Sequence, residues 1–97
     1  MSDDRRAEPG FRARRGTHTV ELDGEALIWD PRTEQLHRLN PSATRIWVEL
    51  SEWRTRAEVA TAMIVAAAVD GARVEHDVEQ CVQQLAEAGL LEQRSPG

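Results

Sequence analysis

The sequence lacks lysine and tyrosine altogether, and Cys81 is the only cysteine among its 97 residues. A single cysteine cannot form an internal disulfide, and with three scattered histidines it argues against a structural zinc site. No apolar run approaches the roughly 18 residues that a membrane-spanning helix needs. Residues 1–16 also lack the apolar stretch of a signal peptide. We therefore predict a cytoplasmic protein with no membrane contact, no metal and no cofactor.

Charge is divided unevenly along a chain that is long enough for one domain. Residues 1–16 hold five arginines against three acidic residues, a net charge of +2, and we predict a disordered N-terminal arm there. Residues 17–97 hold seven arginines against fourteen acidic residues, a net charge of −7. An acidic body repels nucleic-acid phosphates and anionic lipids, which argues against either as a partner.

Three short strands are predicted at the start of the ordered domain. Residues 17–22 alternate in polarity as a half-buried strand does, and Asp23-Gly24 supplies the pair that a tight hairpin turn needs. Residues 26–30 form the returning strand. A proline-led turn then precedes a third strand over residues 35–39. The expected product is a three-stranded antiparallel meander.

The chain then changes to helical periodicity. Asn40 is suited to capping a first helix, and Thr55 and Glu58 have the spacing of a capping box at the start of a second. A third helix is predicted over residues 73–88, ended by Gly89, with residues 93–97 as a loose tail. Strands followed by helices indicate an α+β fold, and the last two helices resemble a helix-turn-helix.

No residue pattern supports catalysis. Cys81 lies on the apolar side of the third helix, and His76 is five positions away, about 140° around the helix axis, so the two cannot form a pair. The third helix carries one arginine against four acidic residues. That balance argues against major-groove DNA binding, although a winged-helix module that binds DNA or regulates transcription stays the alternative. What remains is a free sheet edge that could accept an extended peptide.

Several ordered motifs resemble the PqqD-like family across residues 17–92, which we predict to be the folded domain. The resemblance is carried by Asp23-Gly24-Glu25, Arg32-Thr33, Leu39-Asn40 with Ala43 and Ile46-Trp47, His76-Asp77-Val78 and Gly89-Leu90-Leu91. It implies a winged helix-turn-helix fold of three strands and three helices. It also implies a recognition element for ribosomally made, post-translationally modified peptides.

The resemblance further implies where a leader peptide would bind. In the family the leader adds as a strand beside the third strand and against the third helix. Carried over, the contact residues are Leu36, His37, Arg38 and Leu39 from the strand, and Val74, Asp77, Val78, Cys81 and Gln84 from the helix. Either flank of the helix could face the peptide, and the register decides whether Leu36 and Arg38, or His37, offer the outward amides.

The partners implied are a precursor peptide and a modifying enzyme. That enzyme is either the leader peptidase of a lasso-peptide system or a radical-SAM enzyme. We expect the chain itself to present the precursor without making or breaking a bond.

Overall fold

The computed structural model describes residues 8–67 and 71–95. In chain order its elements are β1 (Gly10–Ala13), β2 (His18–Leu22), β3 (Glu25–Asp30), β4 (Gln35–Leu39), α1 (Pro41–Glu49), α2 (Arg56–Ala67), α3 (Gly71–Glu87) and β5 (Leu91–Arg94). Strands β2, β3 and β4 form the antiparallel meander with β3 in the centre. The predicted α+β fold of three strands followed by three helices is confirmed.

The predicted turn and capping residues act as local chemistry requires. Asp23 and Gly24 both have positive φ, 54° and 78°, which is the two-residue turn that matches strand twist. The Asn40 side chain accepts from the amide of Ala43 at 2.8 Å. In the capping box, the Glu58 side chain accepts from the backbone amide of Thr55 at 2.8 Å, and the Thr55 hydroxyl accepts from the backbone amide of Glu58 at 3.1 Å.

One core joins the sheet to the three helices. Its buried members are Phe11, Ala26, Ile28, Leu39, Ile46, Trp47, Leu50, Val59, Ala60, Val78, Val82, Leu85, Leu90 and Leu91. Thr44 is a buried polar residue at the centre of this contact. Its Oγ1 accepts from the amide of Ala26 at 2.9 Å and donates to the carbonyl of Leu39 at 3.3 Å, so it ties α1 to two strands.

The prediction of a disordered arm over residues 1–16 is wrong for residues 10–13. These residues form β1, which pairs antiparallel with β5, and Phe11 is buried in the core. The Trp53 ring makes cation–π contacts with two guanidinium groups, those of Arg12 at 4.5 Å and Arg94 at 4.7 Å from the ring centroid. The tail predicted from residue 93 is likewise strand up to Arg94. Residues 1–7 of the predicted arm lie outside the described residues.

Two smaller expectations also need correction. Strand β2 is exposed at all five positions, although its alternation predicted a half-buried strand. The third helix was predicted over residues 73–88, but α3 begins two residues earlier, at Gly71, and ends at Glu87. Across residues 8–67 and 71–95, no helix has the length and apolar character needed to cross a membrane.

Candidate functional site

The β2–β3 hairpin determines which way each β3 amide points. Its two-residue turn closes Leu22 against Glu25, and the pair beside such a turn is hydrogen-bonded. Bonded and non-bonded pairs alternate along an antiparallel ladder, so the amide of Ala26 points away from β2. The hydrogen bond from that amide to Thr44 runs in this direction and supports the assignment.

The same alternation leaves two peptide groups of β4 free. Residues 26, 28 and 30 of β3 face Leu39, His37 and Gln35 of β4, and these three use their amides inside the sheet. The amides of Leu36 and Arg38 therefore point outward. Within the part of the chain that the structure describes, no other strand pairs with this side of β4. The register question that the sequence left open is thereby answered in favour of Leu36 and Arg38.

Helix α3 has two different flanks. Glu75 and Glu79 lie on one flank and line a cavity together with residues of α2. The other flank turns away from α2 and presents a half-buried apolar stripe with a spacing of seven residues, bordered by the exposed Asp77 and Gln84. The stripe consists of Val74, Cys81 and Ala88, all packed against the edge of the core.

An arginine cluster joins the start of β4 to the end of α3. Arg32 Nη2 donates to the Gly89 carbonyl at 2.9 Å and to Asp30 Oδ2 at 3.2 Å. Arg14 Nε donates to the same carbonyl at 2.7 Å. Gly89 has a φ of 77°, and a Cβ on it would lie 3.1 Å from Arg32 Nη2. The end of α3 is thereby held next to the turn that leads into β4, and we call these four residues the clasp.

The clasp depends on an ionised carboxylate. Burial of Asp30, which is 1% exposed, opposes its ionisation. Hydrogen bonds from the side chain and backbone of Arg32, with the charges of Arg32 and His37, outweigh burial and lower the pKa of Asp30. Asp30 is therefore a carboxylate at neutral pH, and it orients Arg32 towards Gly89.

The structure divides the nine predicted contact residues into three groups. Leu36 and Arg38 have side chains on the outer face of the sheet, where Arg38 Nη2 lies 2.6 Å from Glu25 Oε1. Leu39 and Val78 are core residues, 9% and 1% exposed, so a bound peptide could not contact their side chains without displacing the core. The remaining five are His37 on the core-facing side of β4 and Val74, Asp77, Cys81 and Gln84 on α3.

Some residues of this region were not among the predicted contacts. Arg14 was assigned to the disordered arm. For Asp30, the sequence gave no indication of a role in the site beyond its position at the end of a strand. Arg32 and Gly89 belong to quoted motifs, but only the fold shows that they meet. His37 Nε2 is a further case, because it is one of two buried side-chain polar atoms without a hydrogen-bond partner among the described residues.

The region offers little for chemistry. Burial raises the pKa of the Cys81 thiol, so the thiol is protonated at neutral pH and is a poor nucleophile. In residues 8–67 and 71–95 no group of three His, Cys, Asp or Glu side chains is placed to hold a metal ion. What the site does offer is backbone hydrogen bonding beside an apolar stripe.

The fold and the site define an α+β domain with a free sheet edge and a neighbouring helix joined to it at one end. A family model described as coenzyme PQQ synthesis protein D (PqqD) matches residues 25–91. The chain belongs to this family. No curated protein sequence matches the chain significantly.

Three solved structures resemble the chain. One, described as TbiB1 in complex with the TbiA(beta) leader peptide, has a TM-score of 0.75 at 26% identity and covers 84% of this chain and 94% of its own. A lasso peptide synthetase B1 complexed with the leader peptide has a TM-score of 0.71 at 26% identity, covering 84% and 96%. The PqqD part of Methylobacterium extorquens PqqCD, a recognition element for modified ribosomal peptides, has a TM-score of 0.70 at 19% identity, covering 86% and 88%, and shows the shared fold alone.

Proposed function

We propose that this chain is a non-catalytic adaptor that binds the leader of a ribosomally made precursor peptide as a strand added to β4. The observation that carries the proposal is the pair of outward amides at Leu36 and Arg38 on an unpaired sheet edge. Peptides that add to a sheet take their affinity from such main-chain groups and their selectivity from neighbouring pockets. The two relatives at 26% identity are both described as complexes with leader peptides.

The α3 flank supplies the second half of the proposed site. Alternate side chains of an added strand point towards the helices, because successive side chains of a strand lie on opposite faces. There they would meet the stripe of Val74, Cys81 and Ala88, with Asp77 and Gln84 as polar neighbours. His37 faces the same side of the sheet from β4, but its unpaired Nε2 is buried, so a peptide group could reach it only if the side chain moved.

The other free edge, on β2, is a weaker candidate. Its strand is exposed at every position, and the pocket between Thr19 and α1 is lined by the charged Arg14 and Arg15 as well as by Trp47 and Val48. The clasp, in contrast, holds α3 at a fixed place next to the start of β4. The proposed groove at β4 therefore combines outward amides with an apolar stripe on a helix whose end is held in place.

The proposed partner is an enzyme that modifies the bound precursor. Similarity to a lasso peptide synthetase B1 favours the leader peptidase of a lasso-peptide system over a radical-SAM enzyme. The cytoplasmic location stays a prediction, which cell fractionation with an antibody to the chain would check.

Amide hydrogen exchange tests the proposal directly. The chain is titrated with synthetic leaders of candidate precursor peptides from the same genome, and exchange is followed residue by residue. The amides of Leu36 and Arg38 should gain protection, while His37, already bonded to β3, should change little. The outward amides of β2 at Thr19 and Glu21 serve as the internal control. Saturable leader binding that protects β2 instead of β4 would refute the placement, and no binding would refute the function.

A further inference from the structure

The carboxyl end of α3 has no basic residue of its own. Carbonyl groups at a helix end lack partners inside the helix and carry a partial negative charge, which a nearby cation stabilises. The last turn of α3 contains no such cation, and Glu87 stands there instead. Two arginines from other parts of the chain supply the charge, since Arg14 and Arg32 of the clasp both donate to the carbonyl of Gly89, just past the helix.

Arg14 makes the firmer of these two contacts. Its Nε donates to the Gly89 carbonyl at 2.7 Å in a partly buried place, and its Nη2 also reaches the Leu91 carbonyl at 3.4 Å. The contact of Arg32 with Gly89 is exposed, and 51% of the Arg32 side chain is accessible to solvent. Water competes for exposed contacts, which therefore contribute less to stability than buried ones. Arg14 is thus the main anchor for the end of α3.

The backbone on both sides of Arg14 is also held. The amide of Arg14 donates to the Leu90 carbonyl at 2.8 Å, and the carbonyl of Arg14 accepts from Thr17 Oγ1 at 2.8 Å. One residue earlier, the amide of Ala13 donates at 2.7 Å to the carbonyl of Leu50, just after α1. The guanidinium therefore starts from a fixed backbone, and the two carbonyls that it binds restrict its side-chain torsions.

The end of α3 that Arg14 holds is also one end of the proposed peptide groove. Ala88 of the half-buried stripe is the residue next to Gly89, and Cys81 lies about two turns earlier on the same stripe. The distance from this stripe to β4 therefore depends on what fixes Gly89. Arg14 lies outside residues 25–91, which the family model matches.

We propose that Arg14 is a positioning residue for leader binding. It holds the end of α3, and with it the apolar stripe, at the distance from β4 at which leader side chains fill the groove. This inference rests on the proposed function. Without the guanidinium the stripe moves away from β4, so the leader loses apolar contacts, while the outward amides of Leu36 and Arg38 stay in place.

The test compares two neighbouring arginines. Arg14→Met removes the charge and the donors but keeps an unbranched stem. Arg15→Met is the matched control, because the Arg15 side chain has no hydrogen bond or ion pair among the described residues, and only its backbone amide contacts Glu92. Labelled leader is titrated with each variant by fluorescence polarisation. We expect Kd to rise at least fivefold for Arg14→Met and to stay within twofold for Arg15→Met.

Two further measurements separate positioning from general stability. Thr55→Ala weakens the capping box at the start of α2 and so lowers stability without changing the clasp, and its Kd should stay within twofold. Cys81 is the only thiol of the chain and lies in the stripe, so its rate of reaction with a thiol reagent, measured without peptide, reports how well the stripe is covered. That rate should rise at least threefold in Arg14→Met and stay unchanged in both controls.

Three results would overturn the inference: a Kd for Arg14→Met within twofold of the unaltered chain, an unchanged Cys81 rate in that variant, or an equal weakening by Thr55→Ala, which would assign the effect to stability. If no leader binds the unaltered chain, the proposed function fails, whereas the Cys81 rate still decides whether Arg14 holds α3. Should Arg14→Met not fold, Arg14→Lys replaces it. Lysine keeps the charge but lacks the fork that contacts two carbonyls, so Kd should rise at least threefold, and a Kd within twofold contradicts the inference.

Discussion

Proline substitution along β4 is the most direct test of the peptide-binding edge. Proline has no amide hydrogen, and it is tolerated on edge strands where the missing amide faces outward. Leu36 and Arg38 carry outward amides in the register described above, whereas the amide of His37 bonds to β3. Proline at Leu36 or Arg38 should therefore leave the sheet intact and remove one hydrogen bond to the leader.

The size of the expected effect follows from the lost hydrogen bond. The leader carbonyl that loses its partner is left unsatisfied in a groove with little water, at a cost of about 1–3 kcal/mol. In fluorescence polarisation with labelled leader, Kd should rise about 5- to 150-fold for each variant. Leu36→Ala separates the loss of the side chain from the loss of the amide. Glu21→Pro is the matched control, because it removes an outward amide from the opposite edge of the same sheet and should leave Kd unchanged.

His37→Pro should behave differently. It removes a hydrogen bond inside the sheet, so urea denaturation should show a loss of stability of about 1–3 kcal/mol, and leader binding should fall only as the folded fraction falls. If Leu36→Pro and Arg38→Pro fold and bind the leader with unchanged Kd, the peptide does not add to β4 and the reasoning is refuted.

Three further predictions concern the contacts that hold the site. Thr44→Val leaves the buried amide of Ala26 without a partner and should cost about 1–3 kcal/mol in urea denaturation; an unchanged midpoint would contradict this role. Phe11→Ala should lower the free energy of unfolding, measured in urea, by about 3–5 kcal/mol. If residues 10–13 were a disordered arm, the same substitution would leave that free energy unchanged. The lowered pKa of Asp30 means that its carboxylate stabilises the fold above the unfolded pKa of about 3.9, and that this stability is lost as pH falls through the lower folded value. The urea midpoint of the unaltered chain should therefore fall as the pH drops below about 4, and that of Asp30→Asn should fall less. If both midpoints fall equally steeply, the clasp is not the source of the acid sensitivity.

The meander and the helix starts could be predicted because their signals are local. The Asp23-Gly24 turn and the Asn40 cap each act within a few residues, and the structure uses both as expected. Strand β1 could not be predicted in the same way. Phe11 is its only large apolar residue, and its partner strand lies about 80 residues further along the chain.

The orientation of β2, meaning which of its two sides faces the helices, shows a second limit of sequence patterns. Alternation predicts that one side of a strand is buried but does not say which side faces the helices. In β2 all five residues are exposed, but it is Thr19 and not Val20 that lies on the helix side, where it accepts a hydrogen bond from Trp47. The flank of α3 posed the same problem. The structure places Glu75 and Glu79 beside α2, a tertiary fact that supports the opposite flank as the peptide-facing one in our proposal.

The clasp shows how residues outside the peptide contacts can set the geometry of the groove. Arg32 and Gly89 are 57 residues apart, yet the guanidinium of one reaches the carbonyl of the other at 2.9 Å. Position 89 favours glycine because its φ is positive, and a Cβ there would also lie 3.1 Å from Arg32 Nη2, so the guanidinium would have to shift slightly. Because Asp30 ends β3 and Gly89 follows α3, this contact fixes the distance between helix and sheet at the end where β4 begins. The width of the proposed groove is thus determined by residues that a bound leader need not contact.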